Sequence, residues 1–109
     1  MYLNRISEQL DLIGMSRKLK GYYFIRASIS DIIRYDFFVE TNLIYRNVAE
    51  IYLTNSKNVE RNIRYAIEKT WEKGSAENIY KLFGYTVDAE KGKPTNKEFL
   101  CLIADKIKN

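Results

Sequence analysis

The sequence contains no histidine, and only one cysteine and one proline among its 109 residues. Without histidine, no His-based acid–base pair, catalytic triad or histidine metal site can be assembled. A single cysteine, Cys101, can form neither an internal disulfide nor a cysteine zinc cluster, which suits a reducing compartment. It falls in the last predicted helix and reads as a quiet thiol rather than a nucleophile. Glycines are few, and none gather into a phosphate-cradling loop. No apolar run is long enough to span a bilayer, and the opening MYLNRISEQL is too charged for a signal peptide. No pair of carboxylates stands out from the ordinary surface background. These absences predict a soluble cytoplasmic protein that is not an enzyme, needs no cofactor or metal, and does not meet a membrane.

What is present is a sequence of ordinary hydrophobic content and abundant charge, long enough for one modest core. Its 18 basic and 14 acidic side chains leave a net charge of +4, a mild bias towards polyanions. No linker or internal repeat interrupts it, so residues 1–109 read as a single domain. Apolar residues recur at spacings of three and four throughout, which predicts an all-α fold of about six helices.

The first helix covers 4–13, with Ile6, Leu10 and Ile13 inward and Gly14 as its stop. Ser16 is a candidate cap for a second helix over about 17–35, with Leu19, Tyr22, Ile25, Ile29, Ile32 and Ile33 in its core stripe. Gly21 inside that helix costs roughly 1 kcal/mol against alanine, so its presence predicts close helix packing. A connector over 36–40 keeps Phe37, Phe38 and Val39 available for the core. Thr41 or Asn42 can cap a third helix running to Tyr52, with Leu43, Ile44, Val48 and Ile51 inward. Ser75 caps a short helix over 76–83 (Ile79, Leu82 and Phe83 inward), and Gly84 stops it. A loop over 85–94 follows. Thr95-Asn96-Lys97-Glu98 is a capping box that opens the last helix, with Phe99, Leu100, Ile103 and Ile107 as its stripe.

The stretch 54–74, TNSKNVERNIRYAIEKTWEKG, organises the rest. Thr54 and Asn55 are candidate N-caps, and Gly74 is a candidate left-handed C-terminal residue. Val59, Ile63, Ala66, Ile67, Thr70 and Trp71 fall on one side of a helix. Lys57, Asn58, Arg61, Arg64 and Tyr65 project from the other, with Glu60 at the border. Arginine can give two donors to guanine, asparagine pairs with adenine and glutamate accepts from cytosine, so this face has the chemistry of a major-groove reader. A plain solvated face carries the same residue types. The preceding helix shifts the balance: helix, short break at 53–55, helix is helix-turn-helix logic over about 43–73. Ala49 is small enough for close approach, and Leu53 is expected to plug the angle between the helices. Glu68 and Glu72 occupy the outward side of the second half and would repel phosphate, so only the first half suits a deep groove. Lys93, within Gly-Lys-Pro-Thr-Asn, is a candidate phosphate clamp near helix-terminal amides, with a solvated basic loop as the alternative.

From Lys20 to Lys108 the sequence resembles the C-terminal DNA-binding effector domain of the sporulation initiation master response regulator of spore-forming Firmicutes, the stage 0 sporulation protein A family. The resemblance rests on Lys20-Gly21-Tyr22, Val59-Glu60-Arg61, Ile63-Arg64, Ala66-Ile67-Glu68 and Trp71. It continues through Leu82-Phe83-Gly84-Tyr85-Thr86-Val87, Lys93-Pro94-Thr95-Asn96, Glu98-Phe99 and Ala104-Asp105-Lys106. It implies an all-helical transcription regulator binding double-stranded DNA at a TGTCGAA-like box, often as two domains side by side on tandem sites. Carried over by position, Asn58, Glu60, Arg61 and Arg64 are the base-contacting set. Ser56, Lys57, Tyr65, Lys93 and Thr95 are the phosphate-contacting set. RNA polymerase sigma factor is implied as a partner for the region 75–91, through Ile79, Phe83 and Tyr85.

The sequence departs from the family pattern at Asn58, usually arginine, at Tyr65, usually histidine, and at Arg46, usually proline. Losing a bidentate arginine removes about 1–3 kcal/mol of discrimination at one base, so a shifted or relaxed target is expected. Nothing ahead of Lys20 could form a phosphorylatable receiver domain, which leaves an excised effector domain or a stand-alone homologue. The competing expectation is a protein-interaction module that binds a sigma factor or a full-length regulator without reading DNA.

Overall fold

The computed structural model describes residues 2–35, 40–84 and 92–108. Six helices follow in order: α1 Tyr2–Leu12, α2 Lys20–Tyr35, α3 Thr41–Ile51, α4 Ser56–Lys73, α5 Ala76–Phe83 and α6 Asn96–Lys108. The fold is all-α, as the periodicity predicted; the expected core residues Phe37, Phe38 and Val39 lie outside the described residues.

Helix α2 runs through the middle and packs against α1, α3, α4 and α6. Its Tyr22, Ile25 and Ile29 are fully buried, as are Ile6, Leu10 and Ile13 from the α1 side and Phe99, Leu100 and Ile103 from α6. Helix α4 contributes Val59, Ile63, Ala66 and Ile67, all fully buried, and Thr70, whose hydroxyl donates back to the Ala66 carbonyl at 2.7 Å. Burying these stripes is the main favourable term for such a bundle, at about 25 cal/mol per Å² of apolar surface.

Two glycines set helix spacing. A Cβ on Gly21 would stand 2.2 Å from the Asn62 carbonyl oxygen and 2.7 Å from the Ala66 Cβ, so α2 meets the backbone of α4 directly. Gly74 closes α4 in an extended conformation (φ −79°, ψ −173°), not the left-handed one expected. Its need for glycine is space: a Cβ there would lie 2.4 Å from Ile13 O. The Ser75 amide donates to that same carbonyl at 3.1 Å, which docks the end of α4 on the end of α1.

Several expectations need correction. Ser16 caps no helix: its hydroxyl accepts from Lys18 N in a turn, and α2 begins only at Lys20. Neither Thr41 nor Asn42 caps α3, whose N-cap position is Glu40 without a side-chain bond. On α3 the buried face is Ile44, Tyr45, Val48 and Ala49, while Leu43 and Ile51 are exposed. This helix has apolar residues around most of its circumference, and contact with α2 and α4 selects the face. Leu53 plugs nothing. It is 93% exposed and holds a positive φ of 55° in the turn, where its amide donates to Glu50 O and Thr54 N to Ala49 O. Its neighbour Tyr52, also exposed, lies edge-on to Phe24 of α2 at 5.2 Å.

Candidate nucleic-acid interface

Helix α4 starts where a local cap dictates. Asn55 is extended (φ −122°, ψ 163°), and its side-chain oxygen accepts the Asn58 amide at 2.8 Å. That bond satisfies one of the first-turn donors an α-helix leaves unpaired. The buried stripe then forces the opposite face outward, and Lys57, Glu60, Arg61 and Tyr65 are exposed. Together with α3, the turn and α4 are consistent with the expected helix-turn-helix.

The outward face of α4 lies in a concave groove of about 630 Å³ whose other wall comes from α3 and the start of α6. Lys57, Glu60, Arg61 and Arg64 line it from α4, Thr41 and Tyr45 from α3, and Thr95 and Lys97 from the α6 end. The far wall is fixed by bonds reaching across the sequence. Trp71 Nε1 donates to Gly92 O at 3.1 Å, Arg64 Nη1 to Pro94 O at 2.9 Å, and Asn96 Nδ2 to the Glu60 carbonyl at 3.2 Å. Helix α4 therefore holds the segment carrying Lys93 and Thr95 in place beside its own outward face. The α6 capping box forms in both directions. Thr95 N donates to Glu98 Oε1 at 2.8 Å, and Glu98 N donates to Thr95 Oγ1 at 3.1 Å.

Several of the sequence-selected residues come together here. Lys57, Glu60, Arg61, Arg64, Tyr65 and Thr95 line one groove, and Lys93 is exposed beside it. Ser56, the first residue of α4, is half-buried at the base of the helix. Arg64 is partly committed within the chain. Besides Pro94 O, its Nη1 reaches Asn96 Oδ1 at 3.4 Å, and its Nε lies 3.4 Å from Glu68 Oε2, an ion pair without hydrogen-bond geometry. The Lys69 ammonium sits 5.6 Å from the centre of the Tyr65 ring, which adds positive charge next to that phenol.

Asn58 is placed differently. It lines a separate cleft with Lys20, Tyr23 and Tyr52 on the α2 side of α4. Its amide donates to Thr54 Oγ1 at 2.9 Å and accepts from Asn62 Nδ2 at 3.0 Å and Arg61 Nη2 at 3.4 Å.

Of the residues expected to meet sigma factor, Phe83 is buried, 5.0 Å from the Trp71 ring and 5.4 Å from Phe99. It anchors α5 to the core, so direct contact by Phe83 does not fit. Ile79 is half-buried against the same cluster, and Tyr85 lies outside the described residues. The exposed side of α5 is Glu77, Tyr80 and Lys81.

Sequence reading missed Tyr45 and Asn96, which bind each other at 3.3 Å on the groove wall. Burial pushes the Tyr45 phenol above its ordinary value, so it stays a neutral hydrogen-bonding group. No local signal marks this pair, because its members come from helices far apart in the chain. Burial likewise raises the Cys101 thiol, which keeps it away from thiolate chemistry.

Among the described residues no helix is long and apolar enough to cross a membrane. A family model described as "Sporulation initiation factor Spo0A C terminal" matches residues 6–107, nearly the whole chain. That family is a DNA-binding regulator domain rather than an enzyme. With an exposed cationic α4 face beside a capped helix end, and a match of this extent, the chain belongs to the Spo0A C-terminal family of DNA-binding sporulation regulators.

Proposed function

We propose that this protein is a sequence-specific transcription regulator that lays α4 in the major groove, N-terminal half first, on a TGTCGAA-like box. The observation that carries this reading is the groove face itself. Glu60 and Arg61 stand exposed on the first half of α4, and that half is flanked by a wall that α4 holds in position. Arg61 suits a guanine edge and Glu60 a cytosine amine, which matches the central C·G steps of such a box. Arg64 adds a base or groove contact while steadying the Pro94 segment. Lys57, Lys93, Ser56, Tyr65 and the Thr95 hydroxyl anchor phosphates and fix the register. Two copies side by side on tandem boxes would extend the same contacts along the duplex.

Fluorescence anisotropy with a box duplex and a scrambled duplex at two salt concentrations tests this. A preference for the box that survives added salt is expected. Equal, salt-sensitive binding to both would reduce the α4 face to phosphate contact alone. The other reading is a module that binds a sigma factor or a full-length regulator without reading DNA. Its surface would be the outer side of α5, where Tyr80 is 64% exposed between Glu77 and Lys81. Binding to such a partner without any DNA binding would select it.

A further inference from the structure

We infer that Asn58 acts as a positioning residue: it holds the Arg61 guanidinium in a base-reading orientation and reads no base itself. The inference rests on the DNA-reading function proposed above. To pair with adenine, an asparagine needs a free carbonyl oxygen for N6 and a free amide hydrogen for N7. The Asn58 Oδ1 already accepts two donors, Asn62 Nδ2 at 3.0 Å and Arg61 Nη2 at 3.4 Å, which uses both of its lone pairs. Its Nδ2 gives one of its two hydrogens to Thr54 Oγ1 at 2.9 Å, which fixes the amide plane, so the occupied oxygen is what bars the two-bond pairing. Reading a base would break this set. Location says the same: Asn58 is half-buried in the α2-side cleft, outside the groove lined by Glu60, Arg61 and Arg64.

The network has a fixed origin. Asn62, whose Nδ2 also donates to the Asn58 carbonyl at 2.8 Å, has its own carbonyl pressed against Gly21 of α2. A chain of contacts thus runs from α2 through Asn62 and Asn58 to Arg61. Arginine carries five N–H donors, so one bond to Asn58 leaves enough for a two-donor approach to guanine. Tethering removes rotamer freedom before DNA arrives, which lowers the ordering cost at binding. An arginine at position 58 would supply charge but no acceptor for Arg61.

The test is a double-mutant cycle on the full chain: wild type, Asn58→Ala, Arg61→Ala and the double variant. Each is titrated against the duplex that wild type selects best from a random pool and against that duplex with each base pair changed in turn. Losing the tether should weaken binding by roughly 3- to 10-fold while Arg61 is present. In the Arg61→Ala background the same change should cost about twofold or less. Both single variants should lose discrimination at the same base pair. An equal loss in both backgrounds, or loss at a base pair that Arg61→Ala leaves untouched, makes Asn58 an independent reader and overturns the inference. Uniform weakening on all duplexes with a lowered melting temperature would make its role merely structural, and overturns it too. Failure of the function beneath looks different: wild type selects no sequence at all, and the inference falls with it.

Discussion

Replacing Gly21 with alanine tests the link between helix spacing and the DNA-facing helix. The new Cβ would stand 2.2 Å from the Asn62 carbonyl oxygen, and Cβ atoms essentially never approach within 3.0 Å, so α2 and α4 must separate by most of an ångström. The obstacle is backbone and cannot rotate away. Overpacking of this kind costs typically about 1–3 kcal/mol, and the largest interhelical contact in the fold puts this site at the upper end or beyond. Gly21 is only the second residue of α2, so alanine returns less than the roughly 1 kcal/mol it gains in a helix interior. A net loss of about 2 kcal/mol is expected, on the order of a 10 °C drop in melting temperature for a domain of this size. Adding Ala66→Gly should rescue little, because it clears the contact at 2.7 Å and leaves the carbonyl in the way. Thermal unfolding followed by circular dichroism reads both variants. An unchanged or raised melting temperature for Gly21→Ala would refute the packing argument. Full rescue by Ala66→Gly would place the clash at the wrong atom.

Further outcomes follow from the same geometry. Arg64→Lys keeps the charge but loses the Nη1 donor that reaches Pro94 O, so it should destabilise by about 1 kcal/mol. Amide exchange at 95–97 should quicken with it; unchanged exchange there would show that Trp71 and Asn96 hold the segment alone. Asp11 accepts two bonds from Arg17, which hold its carboxyl below the ordinary value, with a further bond from the Tyr22 hydroxyl. Its folded pKa is therefore lower than its unfolded value of about 3.9, so its stabilising contribution is present above that value and is lost as pH falls through the folded one. The stability gap between wild type and Asp11→Asn should accordingly be small, constant near neutrality, and shrink under acid; a gap that widens there contradicts the sign. Cys101, half-buried with a raised pKa, should react with iodoacetamide more slowly at pH 8 than a small free thiol, and equal rates would place it at the surface.

The clearest parts of the sequence were those decided within one helical turn. Asn55, Ser75 and the Thr95–Glu98 pair mark the starts of α4, α5 and α6, because each cap needs only amides two or three residues away. The core stripe of α4 was equally legible, since charged residues fill nearly all of the opposite face. The all-α class and the outward set Lys57, Glu60, Arg61 and Tyr65 followed from those local rules. Tertiary structure decided the rest. Only contact with α2 and α4 turns Tyr45 and Ala49 of α3 inward and leaves Ile51 at 65% exposure. At Gly74 the approach of Ile13 adds a distant obstacle to the local Thr70 carbonyl, and only the fold brings Pro94 to Arg64 across thirty positions of chain. The fate of Asn58 belongs here as well: its residue type suggested a base reader, and Asn62 and Arg61 occupy its side-chain oxygen while Thr54 takes one amide hydrogen. Periodicity and the caps that form act through bonds a few residues long, so sequence marks them locally, although Ser16, Thr41 and Asn42 offer the same residue types and cap no helix. Which apolar face is buried, and which long polar side chain is already spoken for, depends on partners that folding alone brings within reach.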